Sequence, residues 1–149
     1  MMKRLALVPV VVSFIGVAAL AAAPVGRYII GNEIVTDKVT GLVWQRVVSS
    51  SSYNWATAKT YCDGLTLAGS SAWRLPTVIE LESLVDSRSR NPSIDTTAFP
   101  NTPSDWFWSS TESAGQSSWG WFVSFENGNA FSFSTDGSSD DYHRVRCVR

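Results

Sequence analysis

Trp119-Gly120-Trp121-Phe122-Val123-Ser124-Phe125-Glu126-Asn127-Gly128-Asn129-Ala130-Phe131-Ser132-Phe133 is the stretch on which the fold class turns. Aromatic and small residues alternate on both sides of Asn127-Gly128, a dipeptide that suits the two positive φ angles of a type I′ hairpin turn. A two-residue loop pairs Phe125 with Ala130, Val123 with Ser132 and Phe122 with Phe133. Trp119, Trp121, Val123 and Phe125 then share one face of the ribbon, while Phe122, Phe131 and Phe133 crowd the other. With aromatics on both faces, the sheet is either covered on both sides or keeps one exposed aromatic patch for binding.

Downstream, Tyr142 to Arg149 sets Val145 and Cys147 against Arg144, Arg146 and Val148, which reads as a closing strand. Upstream, the Ser-, Asn-, Pro- and Thr-rich run 87–103 reads as a long surface connection. Before it the periodicity changes. Trp55, Ala58, Tyr61 or Cys62, and Leu65 recur at helical spacing behind Asn54, a natural N-cap, and this helix carries Cys62. Thr77 and Glu80 form a capping box for a second short helix with the apolar stripe Val78, Leu81, Leu84 and Val85. Tyr28-Ile29-Ile30 and Ile34-Val35-Thr36 flank Gly31-Asn32, and Leu42 to Gln45 follows a polar turn, so three short antiparallel strands open the domain. The pattern is α+β: two short helices packed on a twisted antiparallel sheet.

The first 23 residues read as a secretory signal: basic Lys3 and Arg4, an apolar run from Leu5 to Leu20, then Ala21 to Ala23. An uncleaved anchor is the alternative, because the apolar run extends through Val25 towards the roughly 20 residues of a membrane span. Removing these residues leaves 24–149 as a single domain. Without Lys3 and Arg4 the twelve basic residues become ten against thirteen acids, a net charge of minus 3, which carries no global signature for nucleic acid. The location expected is secreted, periplasmic or cell-surface, with no membrane insertion after cleavage. Export also makes a disulfide between Cys62 and Cys147 chemically allowed.

Catalytic chemistry finds little support. The single histidine, His143, follows Asp141 closely, but no Gly-x-Ser-x-Gly elbow accompanies it, and it is expected as an exposed residue at a polar strand entry. Glycosidase action needs two carboxylates about 5 to 9.5 Å apart, whereas Glu80 and Glu82 fall on different faces of one helix. Asp136, Asp140 and Asp141 fit no EF-hand spacing and read as a solvated turn. One histidine and two bridged cysteines cannot fill a tetrahedral zinc site. No cofactor and no metal are expected. Arg144, Arg146 and Arg149, with Arg88 and Arg90, could form a strip for sulfate or carboxylate, although Arg146 could equally brace the fold. Between Ser104 and Ser139 lie eleven serines and nine aromatics, a mixture like that of an antibody paratope. Trp108, Phe122 and Phe133 are expected in the core, and Trp119 and Trp121 partly exposed after a polar loop 111–118.

Several ordered motifs extend this reading. Asp37-x3-Gly41-Leu42-Val43-Trp44-Gln45, Trp55-x2-Ala58, Trp73-Arg74-Leu75-Pro76-Thr77-x2-Glu80-Leu81, Trp108-Ser109-Ser110-Thr111 and Val145-Arg146-Cys147-Val148-Arg149 together resemble the C-terminal domain family of the bacterial collagen-like adhesin Lcl. The resemblance implies a C-type lectin-like fold, distantly related to the formylglycine-generating enzyme, with a disulfide from the first helix to the last strand where Cys62 and Cys147 fall. It implies a non-catalytic module for glycans, sulfated or anionic ones included, or for a cell-surface protein. The Glu-Pro-Asn and Trp-Asn-Asp motifs of calcium-dependent sugar binding are missing, and the cysteines are not free for oxidase chemistry. The ligand-binding residues expected are Trp119, Trp121, Asp136, Ser138, Asp140, Asp141, Tyr142 and Arg144. Two other readings stay open: a display scaffold diversified in its C-terminal strands, and an envelope enzyme or its accessory.

Overall fold

The computed structural model describes residues 24–136 and 141–149; the leader read over residues 1–23, and Ser138 and Asp140, lie outside the described residues. The chain runs β1 (Tyr28–Ile30), β2 (Ile34–Asp37), β3 (Val43–Gln45), α1 (Trp55–Asp63), α2 (Val78–Glu82), β4 (Trp106–Ser113), β5 (Gln116–Ser124) and β6 (Ala130–Ser134). The class is α+β as the pattern indicates, but the strands divide into two antiparallel sheets, β1-β2-β3 and β4-β5-β6.

Local signals fixed both helix starts. The Asn54 side chain accepts the Thr57 N–H at 2.9 Å, and Thr77 and Glu80 exchange both bonds of the capping box. Glu80 is used twice, since Arg74 also grips it with two donors at 2.6 and 2.8 Å. That bidentate pair and the cap hold the carboxyl below its ordinary range.

Two core clusters lie on opposite faces of the second sheet. Phe107, Val123 and Phe125 point into one, with Leu81, Leu84, Ile94 and Phe99; Trp108 and Phe122 point into the other, with Ala58, Trp73, Val145 and the cysteines. Cys62 on α1 and Cys147 form a disulfide with Cα atoms 5.5 Å apart. α1 also docks on β4, where the Trp55 indole donates to the Ser109 carbonyl at 2.7 Å. Gly120 is the reason the indole fits, because a β-carbon there would stand 3.0 Å from Trp55 Nε1.

The connection 87–103 does not stay on the surface: Ile94, Ala98 and Phe99 are buried. Its apolar residues plug the first cluster, each contributing on the order of 1.5 to 3 kcal/mol for the larger side chains. The polar segment 111–118 is likewise not a loop but the tip of the β4–β5 hairpin, closed through Ser113 and Gln116 with Gly115 at φ +83°.

The aromatic hairpin keeps its faces but slips by two residues. Phe122 pairs with Phe131 and Val123 with Ala130, leaving Phe125 to Gly128 as the loop between Ser124 and Asn129. Phe125 decides this. It is fully buried, edge-on to Phe107 at 5.0 Å, and its N–H and C=O bond to Asp105 and Ser93 rather than to β6. Burying one phenylalanine outweighs the preference of Asn-Gly for the shortest turn.

The closing segment is extended but forms no continuous strand; it is shared between the sheets. Val148 bridges both Trp44 and Arg74, while Arg144 bridges Phe107 in parallel and His143 bridges Tyr53. Arg146 locks this seam from inside. Its Nη1 donates to the carbonyls of Gln45 and Arg46 at 2.7 and 2.8 Å, and its Nη2 to Thr102 Oγ1 at 2.7 Å. Its guanidinium carbon lies 4.6 Å from the centroid of the Phe99 ring. Burial pushes its pKa down to about 9, so it remains a cation at neutral pH, held by dipoles and a ring face.

Candidate binding groove

A concave groove of about 720 Å³ opens where the start of β4, the middle of β5, β6 and the closing segment meet, lined by Asp105, Trp106, Phe122, Phe131, Ser132, Phe133, Tyr142 and His143. Strand alternation puts the rings there: Phe131 and Phe133 stand two apart on β6, on the face of Phe122. β6 is the sheet edge, with no further strand to cover them among the described residues. Trp106, Phe131, Phe133 and Tyr142 are 43 to 50 % exposed, while Phe122 and His143 at the floor are buried.

The rings form a continuous wall. Trp106 stacks on Phe122 with centroids 5.0 Å apart and planes at 23°, and Phe122 continues to Phe131 at 5.9 Å. His143 wedges beneath, 5.2 Å from Trp106, 4.3 Å from Trp108 and 4.9 Å from Phe122. The imidazole is therefore buried rather than exposed at a polar strand entry, because its backbone pairs with Tyr53 and draws the ring inward. Burial pushes its pKa below the ordinary value, against the upward pull of Asp105 and Asp141, and Nε2 finds no partner among the described residues. It is a neutral packing ring.

Charge at the rim is already balanced. Asp105 Oδ2 accepts from Arg144 Nε at 3.0 Å and Oδ1 from the Trp106 N–H at 2.8 Å, and Arg144 Nη1 donates to the Ser50 carbonyl. Arg144 lines a separate small cleft with Val48, Ser50 and Pro103. The arginine strip is thus broken up: Arg146 is buried, Arg88 pairs with Asp86, and Arg149 lies over the ring of Trp73.

Of the expected site residues that fall among the described residues, only Tyr142 lines the groove. Trp119 is half-buried and adjoins it through Phe133, 5.9 Å away, and Trp121 is half-buried on β5. Asp136 is exposed at the end of β6, whereas Asp141 is fully buried. Among the described residues, no group of three or more His, Cys, Asp or Glu side chains could hold a metal ion. Asp105, Trp106, Phe131 and Phe133 were not foreseen. Phe133 in particular was assigned to the core, yet Phe-Ser-Phe on an edge strand, with no opposing apolar stripe left to cover it, is the signal for an exposed pair.

Residues 33–149 match the Lcl C-terminal domain, a span that begins just before β2 and takes in every element of the groove. The chain belongs to the Lcl C-terminal domain family. It is an adhesin-associated module, and the motifs that carry the resemblance lie in the frame rather than among the residues lining the groove. In this Lcl C-terminal domain, Trp73 to Leu81 supplies the Arg74–Glu80 pair and the capped helix, and Val145 to Arg149 supplies the disulfide and the seam. No curated protein matches the sequence. Among the described residues, no helix is long and apolar enough to cross a membrane.

Proposed function

We propose that this Lcl C-terminal domain is a secreted or envelope-associated, non-catalytic recognition module with a C-type lectin-like fold, and that it binds glycans in the aromatic groove. One observation carries the reading: four half-exposed rings converge on a concave site of about 720 Å³ with buried rings beneath. Exposing that much aromatic surface opposes solubility, and a ligand that covers it recovers the cost. Flat rings stack on the apolar faces of sugars, and a few polar groups fix orientation. The lectin-like reading is supported by the helix-to-closing-segment disulfide and by the pairing of Arg149 with Val43, which brings the end of the chain beside the first sheet. A non-catalytic role is supported by the state of the groove's titratable groups: His143 is sealed among rings, and Asp105 is engaged by Arg144.

A glycan array run with calcium, with chelator and at raised salt tests the proposal, with the double variant F131A/F133A alongside. Binding by the native chain and loss in the variant are expected. Absence of binding to any glycan, or binding indifferent to these rings, would overturn it, and capture of a protein ligand by the same rings would replace it.

A further inference from the structure

We infer that the groove selects uncharged glycans, and that Asp105 is the specificity-determining residue, accepting two neighbouring hydroxyls of a pyranose whose apolar face lies on Trp106. The inference rests on the glycan reading above and narrows it.

Among the described residues, Asp105 is the one acidic side chain lining the groove, and it is 43 % exposed. The adjacent cation, Arg144, is committed to Asp105 and to the Ser50 carbonyl and faces another cleft. A sulfate or uronate entering the groove meets a carboxylate and finds no free cation among the lining residues. An ammonium ligand meets an acid whose charge is already answered at 3.0 Å. An ion pair closed on itself is complementary to a ligand without charge.

The acceptor chemistry follows. An ionised carboxylate offers about four lone-pair sites, and the Trp106 N–H and Arg144 Nε take one on each oxygen. One site per oxygen is left, on an exposed group beside the groove. Two acceptors on one carboxylate suit two hydroxyls on adjacent carbons, with charge-assisted bonds of about twice the usual strength. Trp106 is the next residue in the chain. Phe122 covers one face of its indole, and the ring is still 43 % exposed, so it can take the sugar face while Asp105 takes the hydroxyls.

The test uses the native chain, the variant D105N and the best-binding neutral methyl glycoside from the array, together with its single-deoxy derivatives and heparan sulfate as the polyanion. Neutral binding is expected to survive about 1 M salt, where the Debye length is near 3 Å. D105N is expected to weaken it about tenfold. Removing either of two adjacent hydroxyls should weaken binding to the native chain by about the same factor, and should matter little to D105N. The deoxy series needs no variant, so a poorly folded D105N leaves the inference exposed to failure. Tighter, salt-sensitive binding of heparan sulfate, or deoxy derivatives that all bind the native chain as well as the parent, would overturn this inference while leaving the glycan reading standing. Absence of binding to any glycan would overturn both.

Discussion

A β-carbon on Gly128 would stand 2.6 Å from Cγ1 of Val85, so the turn after β5 fits against the residues following α2 only because position 128 has no side chain. Gly128 also sits at φ +81°, where an L side chain is strained. G128A should lower the unfolding free energy by about 2 kcal/mol or more, the sum of left-handed strain and the forced displacement of Val85. Urea denaturation measures this, and an unchanged midpoint would contradict the packing described for the loop.

Joining Cys62 to Cys147 closes a loop of 85 residues. Loop-closure entropy makes that link worth roughly 4 to 5 kcal/mol as an upper figure. The double variant C62A/C147A should therefore lose several kcal/mol, and reductant should lower the melting temperature of the native chain to a similar level without affecting the variant.

Arg146 is buried without a carboxylate partner among the described residues, and its guanidinium reaches two carbonyls on one side and Thr102 on the other. An ammonium cannot span both. R146K should lose about 2 to 4 kcal/mol of stability despite keeping the charge. Retention of native stability in R146K would mean that the charge alone matters, against the forked geometry.

His143 gives stability a pH dependence of definite sign. Its folded pKa lies below the ordinary value of about 6.5, so between the two the unfolded chain binds more protons than the folded one. The contribution is complete above about pH 6.5 and is lost as pH falls from there through the folded pKa. Asp37 and Glu80, whose pKa values are also lowered, begin to contribute to acid destabilisation only below their ordinary values near 4. The native melting temperature should thus fall between about pH 7.5 and 5.5, and that of H143F should stay nearly level over the same range. Parallel slopes would place the titration elsewhere.

What could be read from sequence was whatever chemistry is local. Asn54, Thr77 and Glu80 cap helices through bonds that span three residues, and the alternation along β5 assigned its faces correctly even though the register was two residues out. The slip came from Phe125, whose burial against Phe107 is a long-range event that a turn dipeptide does not encode. The same limit hid the groove. Trp106, Phe131 and Tyr142 become neighbours only when three separate segments meet, and Arg144 is withdrawn from the surface by Asp105, 39 residues earlier. Phe133 was misassigned because hydrophobicity alone does not say whether anything remains to cover a ring.

Phe122 floors the groove and belongs to the same packed cluster as the two joined cysteines. One cluster thus serves two ends, the covalent join of α1 to the closing segment and the support of the ring at the base of the concavity. Cutting the link would loosen the packing beneath Phe122 as well as lower the stability of the whole chain.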